Sequence, residues 1–163
     1  MNTNSRPILL VGCGKMGGAM LAGWLKQGVN SSGIIIVDPY HSDMNTKFGE
    51  NVSCYKAVKD LPENLDPQVI ILAVKPSQLN DTIGEYRRFS GSGTTFISIV
   101  AGNPIHFFEH NLGDSAVVIR AMPNTPAAIN QGITACSINK NVNTEQLRFA
   151  QELLESVGEV LFI

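Results

Sequence analysis

The chain has 163 residues, enough for one domain with a sizeable core. It is 44% hydrophobic and 16% charged with a formal net charge of −2, a globular composition that gives no electrostatic case for nucleic acid or an anionic membrane. No apolar run approaches the ~20 residues that span a bilayer, Met1 to Pro7 carries no signal pattern, and Cys13, Cys54 and Cys136 match no metal-ligand spacing, which predicts reduced thiols in a cytoplasmic protein.

In chain order, strands and helices alternate. Ile8 to Val11 predicts a first strand. Met16 to Gln27 predicts a helix, with Met16, Met20, Leu21, Trp24 and Leu25 on a helical period and Gly28 as its stop. Ile34 to Asp38 is the second strand. A short helix around Asn45 to Phe48 and a short strand near Cys54 and Tyr55 follow. Val69 to Val74 is fully apolar, as a buried parallel strand requires. Gln78 to Arg88 predicts a helix and Thr94 to Val100 a strand. Asn103 is expected to cap a helix with Pro104 at its first position and Gly113 as its end. Ala116 to Ile119 and the β-rich Ile133 to Ile138 come next. A helix is predicted from Asn143-Thr144 through Val157, ended by Gly158. The final residues, Glu159 to Ile163, are strand-like.

Repeated βαβ units predict an α/β fold of the Rossmann type: doubly wound, with a mostly parallel sheet and helices on both faces. Ligands of such sheets bind beyond the carboxyl ends of the strands. The loops that follow the strands, 12–17, 38–41, 74–78, 100–104 and 120–127, are therefore where chemistry is expected.

The first of them is the most informative. Gly12-Cys13-Gly14-Lys15-Met16-Gly17 follows a predicted strand and opens a predicted helix. Gly12 lets the chain turn, Gly14 leaves room for a pyrophosphate, and Gly17 lets helix and strand pack closely. The helix start then presents N–H groups and the positive end of its dipole to the phosphates. Cys13 reads as loop filler, not as a nucleophile. Asp38 closes the second strand about 20 residues past the glycines, the distance of a ribose-binding carboxylate. The alternative is a solvated Asp38-Pro39 turn.

Three further loops carry unusual residues. Ala73-Val74-Lys75-Pro76 puts a lysine at a buried strand end. Ser98 to Gly102 is small enough for a flat group to approach its backbone. Arg120-Ala121-Met122-Pro123-Asn124-Thr125-Pro126 has two prolines framing an amide and a hydroxyl. On these motifs, in this order and spacing, the chain resembles the pyrroline-5-carboxylate reductases over nearly its whole length. The last motif is long and specific, whereas the first is shared by many dehydrogenases.

The resemblance implies NAD(P)H-dependent reduction of Δ1-pyrroline-5-carboxylate to L-proline, the last step of proline biosynthesis. It implies that residues 12–17 bind the pyrophosphate, that 73–76 with Ala101 and Gly102 line the cofactor cleft, and that Met122, Pro123, Asn124 and Thr125 lie by the nicotinamide and the substrate. It also implies a C-terminal helical domain of roughly a hundred residues. That domain dimerises the family, completes its substrate pocket and holds the proton-delivering residues. Residues 1–163 are accordingly expected to be the cofactor domain alone, inactive by itself, with a homo-oligomer formed by the full-length protein.

Lys15 stands where the family often has Asn, adding positive charge near the phosphates. Asp38 repels a 2′-phosphate, so the expectation leans to NADH over NADPH. Two other readings compete. One is another reductase on this fold, β-hydroxyacid-dehydrogenase-like or deazaflavin-linked, which the motif at Met122 to Pro126 disfavours. The other is a nucleotide-binding module without chemistry. His41, His106 and His110 form no catalytic set; His106 and His110 have helical metal spacing but no third ligand. Glu152 and Glu155 read as a solvated helix face.

Overall fold

The computed structural model describes residues 6–40, 47–49, 51–124 and 131–163. Eight strands form one sheet in the order β3-β2-β1-β4-β5-β6-β7-β8. They are β1 (Ile8–Val11), β2 (Ile34–Val37), β3 (Ser53–Tyr55), β4 (Val69–Leu72), β5 (Thr95–Ser98), β6 (Val117–Pro123), β7 (Gly132–Ile138) and β8 (Gly158–Phe162). Strands β3 to β6 in that spatial order pair in parallel, β6 and β7 are antiparallel, and β8 is parallel to β7. The mostly parallel doubly wound sheet read from the sequence is the observed one. Its central strands β1 and β4 are buried along their full length, which is why they are apolar at every position and not at alternate ones.

One face of the sheet is covered by α1 (Lys15–Lys26) and α4 (Thr144–Leu154). Trp24 is wholly buried there, and its indole Nε1–H donates to the Leu153 carbonyl at 2.9 Å. Gly23 brings α1 against the turn after α4: a Cβ on it would stand 2.8 Å from the Ser156 carbonyl oxygen. The Asn143 side chain accepts from Gln146 N–H and the Gln146 side chain accepts from Asn143 N–H, a reciprocal cap for α4. The opposite face is covered by α2 (Pro76–Thr82), the 3-10 segment Ile83–Phe89 that continues it, and α3 (Ile105–Leu112).

The structure corrects several boundaries. The helix predicted over Gln78 to Arg88 changes to 3-10 geometry at Ile83. There Thr82 Oγ1 donates to the Gln78 and Leu79 carbonyls, and the weak helix formers Thr82, Ile83 and Gly84 adjoin. Likewise the last helix stops at Leu154, and Glu155–Val157 is 3-10. Asn103 does not cap α3. Pro104, extended at ψ 165°, occupies the cap position without a side-chain bond, and the Asn103 carbonyl accepts from Arg120 Nε at 2.9 Å. Strand β5 ends at Ser98 because Ser98 Oγ takes the Val100 N–H and turns the chain out of the ladder. Strand β6 runs on to Pro123, beyond the predicted Ile119, because β7 folds back and pairs with it from Ile119 to Pro123. Residues 120–123 are thus strand, not loop. Of the short helix expected near Asn45 to Phe48, residues 47 and 48 are helical and the rest lie outside the described residues.

Candidate nucleotide-binding site

Strands β1, β2, β3 and β4 end side by side, and the chain leaves β1 towards one edge of the sheet and β4 towards the other. That reversal opens a crevice at the carboxyl edge. The crevice is a cleft of about 820 Å³. Val11, Gly12 and Gly14 line it from β1, and Val37, Asp38, Pro39 and Tyr40 from β2. Lys56, Ala57 and Val58 follow β3, and Ala73, Val74 and Lys75 follow β4. Gln78, Asp81, Thr82, Glu85 and Tyr86 form its helical wall.

The three loop glycines have separable reasons. Gly12 has φ +86°, and a Cβ on it would stand 2.8 Å from the Ala73 carbonyl oxygen. At Gly17 a Cβ would stand 2.5 Å from the Gly12 carbonyl oxygen. Both positions are closed by the protein itself. Gly14 differs: its φ is −72°, open to any residue, and nothing lies within 4 Å of an added Cβ. No described protein atom demands glycine there, yet the position faces the cleft. Backbone that must stay bare only towards open space suits a ligand that approaches the main chain.

Gly14 is also the N-cap of α1 and offers no side chain to the first turn, which contains no acidic residue. The N–H groups at the start of that helix are left for an anion. Lys15, exposed, and Met16, half-buried, lie on the same turn.

Asp38 is 5% exposed. Its Oδ2 accepts from the Cys13 N–H at 2.7 Å and its Oδ1 from the Tyr40 N–H at 2.9 Å. The carboxylate therefore ties the end of β2 to the glycine loop, a role not foreseen from the sequence. A carboxylate accepts about four hydrogen bonds, so ribose hydroxyls remain chemically compatible with this position. Cys13 is buried within the loop. Burial first, then the Asp38 charge, pushes its thiol up to about 11, against a weaker opposing effect of Lys47. Cys54 is raised by burial and by Asp38 in the same order. Neither is an activated nucleophile.

Of the residues expected to bind cofactor, Gly12, Gly14, Asp38, Ala73, Val74 and Lys75 line this cleft. Pro76 is the first residue of α2. Ala101 and Gly102 form the turn after β5, and Gly102 borders a separate shallow pocket of about 430 Å³ with Arg120 and Ser137. Met122 and Pro123 end β6, and Asn124 Oδ1 accepts from the Ile133 N–H at 2.9 Å. Thr125 lies outside the described residues. Tyr40 and Gln78 fall within the expected loops 38–41 and 74–78, whereas Lys56 and the rest of the helical wall were not anticipated. The spacing of Gln78, Asp81, Thr82, Glu85 and Tyr86 marks one helix face, but only the tertiary fold tells whether such a face looks at core or at cleft.

Residues 7–102 match the family described as NADP oxidoreductase, coenzyme F420-dependent. The chain is 32% identical over 158 residues to a pyrroline-5-carboxylate reductase of Methanosarcina acetivorans, covering 94% of this chain and 57% of that protein. Its structure is similar to that of a pyrroline-5-carboxylate reductase from Coxiella burnetii, with TM-score 0.89 and 26% identity over 98% of this chain and 59% of the other. It shares its fold, at TM-score 0.83 and 21% identity, with a Plasmodium falciparum pyrroline carboxylate reductase solved with NADP bound, covering 99% of this chain and 59% of that one. The chain thus spans a little over half the length of these relatives. With the matched segment holding the glycine loop, Asp38 and the strand ends of the cleft, the chain belongs to the NADP oxidoreductase family described as coenzyme F420-dependent.

Proposed function

We propose that this chain supplies the dinucleotide-binding part of a pyrroline-5-carboxylate reductase, which reduces Δ1-pyrroline-5-carboxylate to L-proline with NAD(P)H. The observation that carries the reading is the bare backbone at Gly14, facing a crevice where the sheet order reverses. A bound reduced nicotinamide would supply the hydride. The chain's own task is then positioning and exclusion of water. The N–H groups of the first turn of α1 hold the pyrophosphate, with Lys15 adding charge. Asp38 takes the ribose hydroxyls while it braces Cys13. Ala73 to Pro76, Ala101 and Gly102 border the cofactor, and Met122 to Thr125 lie beside the nicotinamide and the imine. On this reading the proton donor and the subunit interface belong to the helical domain implied by the resemblance, and the full-length protein is a cytoplasmic homo-oligomer.

The reading favours NADH. Asp38, Asp81 and Glu85 line the cleft against Lys56 and Lys75, so a 2′-phosphate there meets more negative than positive side chains. Calorimetric titration with each dinucleotide tests this: one-to-one saturable binding is expected, tighter for NADH. Asp38→Ser is expected to raise the NADPH-to-NADH affinity ratio about fivefold, some 1 kcal/mol. An unchanged ratio would remove Asp38 from the ribose, and no saturable binding of either dinucleotide would overturn the cofactor reading. For the substrate, a fusion of residues 1–163 to the C-terminal part of the M. acetivorans relative is expected to form proline from the imine. A fusion that binds NADH and leaves the imine unreduced would count against the proposed reaction.

A further inference from the structure

Apart from Thr82, whose hydroxyl is bound to the Gln78 and Leu79 carbonyls, the helical wall of the cleft carries polar side chains with no hydrogen bond to a described residue. Gln78, Asp81, Thr82, Glu85 and Tyr86 stand at helical spacing and face the opening together. Tyr86 is 2% exposed, and its hydroxyl makes no hydrogen bond to a described residue. Among the described residues, the partnerless side-chain atoms that are sealed from solvent belong to Arg6, Gln68, Ser90 and Thr134. The Tyr86 oxygen is not one of them, so it reaches open space, and the space that Tyr86 lines is the cleft. Burial, and after it the Glu85 carboxylate, drives the Tyr86 pKa well above that of an ordinary phenol. The group is a protonated donor at every working pH. Beside it the Glu85 carboxylate is only an acceptor, and it too makes no ion pair or hydrogen bond with a described residue. The apolar residues Val37, Val58 and Val74 line the same cleft.

A slot with apolar walls, and a phenolic donor next to a carboxylate acceptor on its rim, fits a flat heterocycle of one pattern. Its edge must offer a ring-nitrogen acceptor adjacent to an exocyclic amino donor. A 6-aminopurine has that edge. A 6-oxopurine puts an oxygen where the amino group stood, facing a carboxylate.

We propose that Tyr86 and Glu85 read the 6-amino edge of the purine in the dinucleotide, making this helical wall a base-selecting element. The inference rests on the cofactor reading above and goes beyond it. A cleft that merely shelters the base would accept any purine.

Titration of the 163-residue chain with NADH and with reduced nicotinamide hypoxanthine dinucleotide tests it. The two differ only at position 6 of the purine and its adjoining ring proton. The wild-type chain is expected to bind NADH at least about tenfold more tightly, the worth of one hydrogen bond to a charged group. Glu85→Gln and Tyr86→Phe should each cut that preference severalfold. The first lies on the surface and the second keeps the ring, so neither empties the core. Equal affinity for the two dinucleotides in the wild type, or a preference untouched by both substitutions, overturns the base-reading role and leaves the cofactor reading standing. Failure to bind either dinucleotide overturns both.

Discussion

At the scale of single residues, the glycine loop separates folding from binding. A side chain at Gly12 meets the Ala73 carbonyl and requires a left-handed backbone, so Gly12→Ala is expected to destabilise the chain by about 1–3 kcal/mol. A side chain at Gly14 meets nothing within 4 Å, so Gly14→Val should leave the melting temperature almost unchanged while it weakens dinucleotide binding at least about tenfold. Thermal melts and titrations of the two variants check the contrast. Binding retained by Gly14→Val would mean that the open space above the loop is not the pyrophosphate site. The sequence pattern makes all three glycines look alike. Their different physical reasons appear only when the neighbours of each absent Cβ are known.

At the scale of elements, the least predictable part was the join between the parallel sheet and its last two strands. Ile8–Val11 and Ile34–Val37 were readable because an unbroken apolar run bounded by turn residues has few other homes. The start of α4 was readable because Asn143-Thr144 is a helix-opening pair, whereas the reciprocal bond from Gln146 emerges only in the structure. The antiparallel pairing of β6 with β7 was not, because no two-residue hairpin turn joins them and Pro123 and Asn124 read as loop. That join is fastened at its far end by Asn139, which is buried. Its Oδ1 accepts from the Val118 N–H, and its Nδ2 donates to the Ala116 carbonyl and to Glu109 of α3. Asn139→Ala leaves the buried Val118 N–H of β6 without its partner, while the Ala116 carbonyl keeps Asn141 Nδ2, and is expected to cost about 1–3 kcal/mol. A denaturation midpoint shifted at constant slope would register it. A midpoint that does not move would show that solvent replaces the amide there.

At the scale of the whole molecule, the buried thiols tie stability to alkaline pH. Cys13 and Cys136 are raised from 9.0 to about 11, Cys136 by burial alone. In the unfolded chain they release their protons near the lower value, and in the folded chain near the higher. Between the two, the folded state binds more protons, so stability falls as pH rises through that window. Melting temperature is expected to be flat around neutrality and to decline from pH 9 to pH 11, with part of the decline removed in Cys136→Ala. A decline of the same steepness without Cys136 would exonerate that thiol. The two thiols sit in different places: Cys13 lies in the glycine loop between the cleft-lining Gly12 and Gly14, and Cys136 lies on β7. The carboxyl ends face the opening, while the thiol of Cys136 sits within the packed face under α4.

Trp24 is the single tryptophan of the chain, fully buried and bonded to the backbone at the end of α4. It stands on the helix whose N-cap residue, Gly14, borders the cleft. An indole emits in the wavelength range where reduced nicotinamides absorb. The molecule therefore carries its own optical donor at a fixed place, and the quenching of that emission can follow cofactor arrival in real time without any attached label.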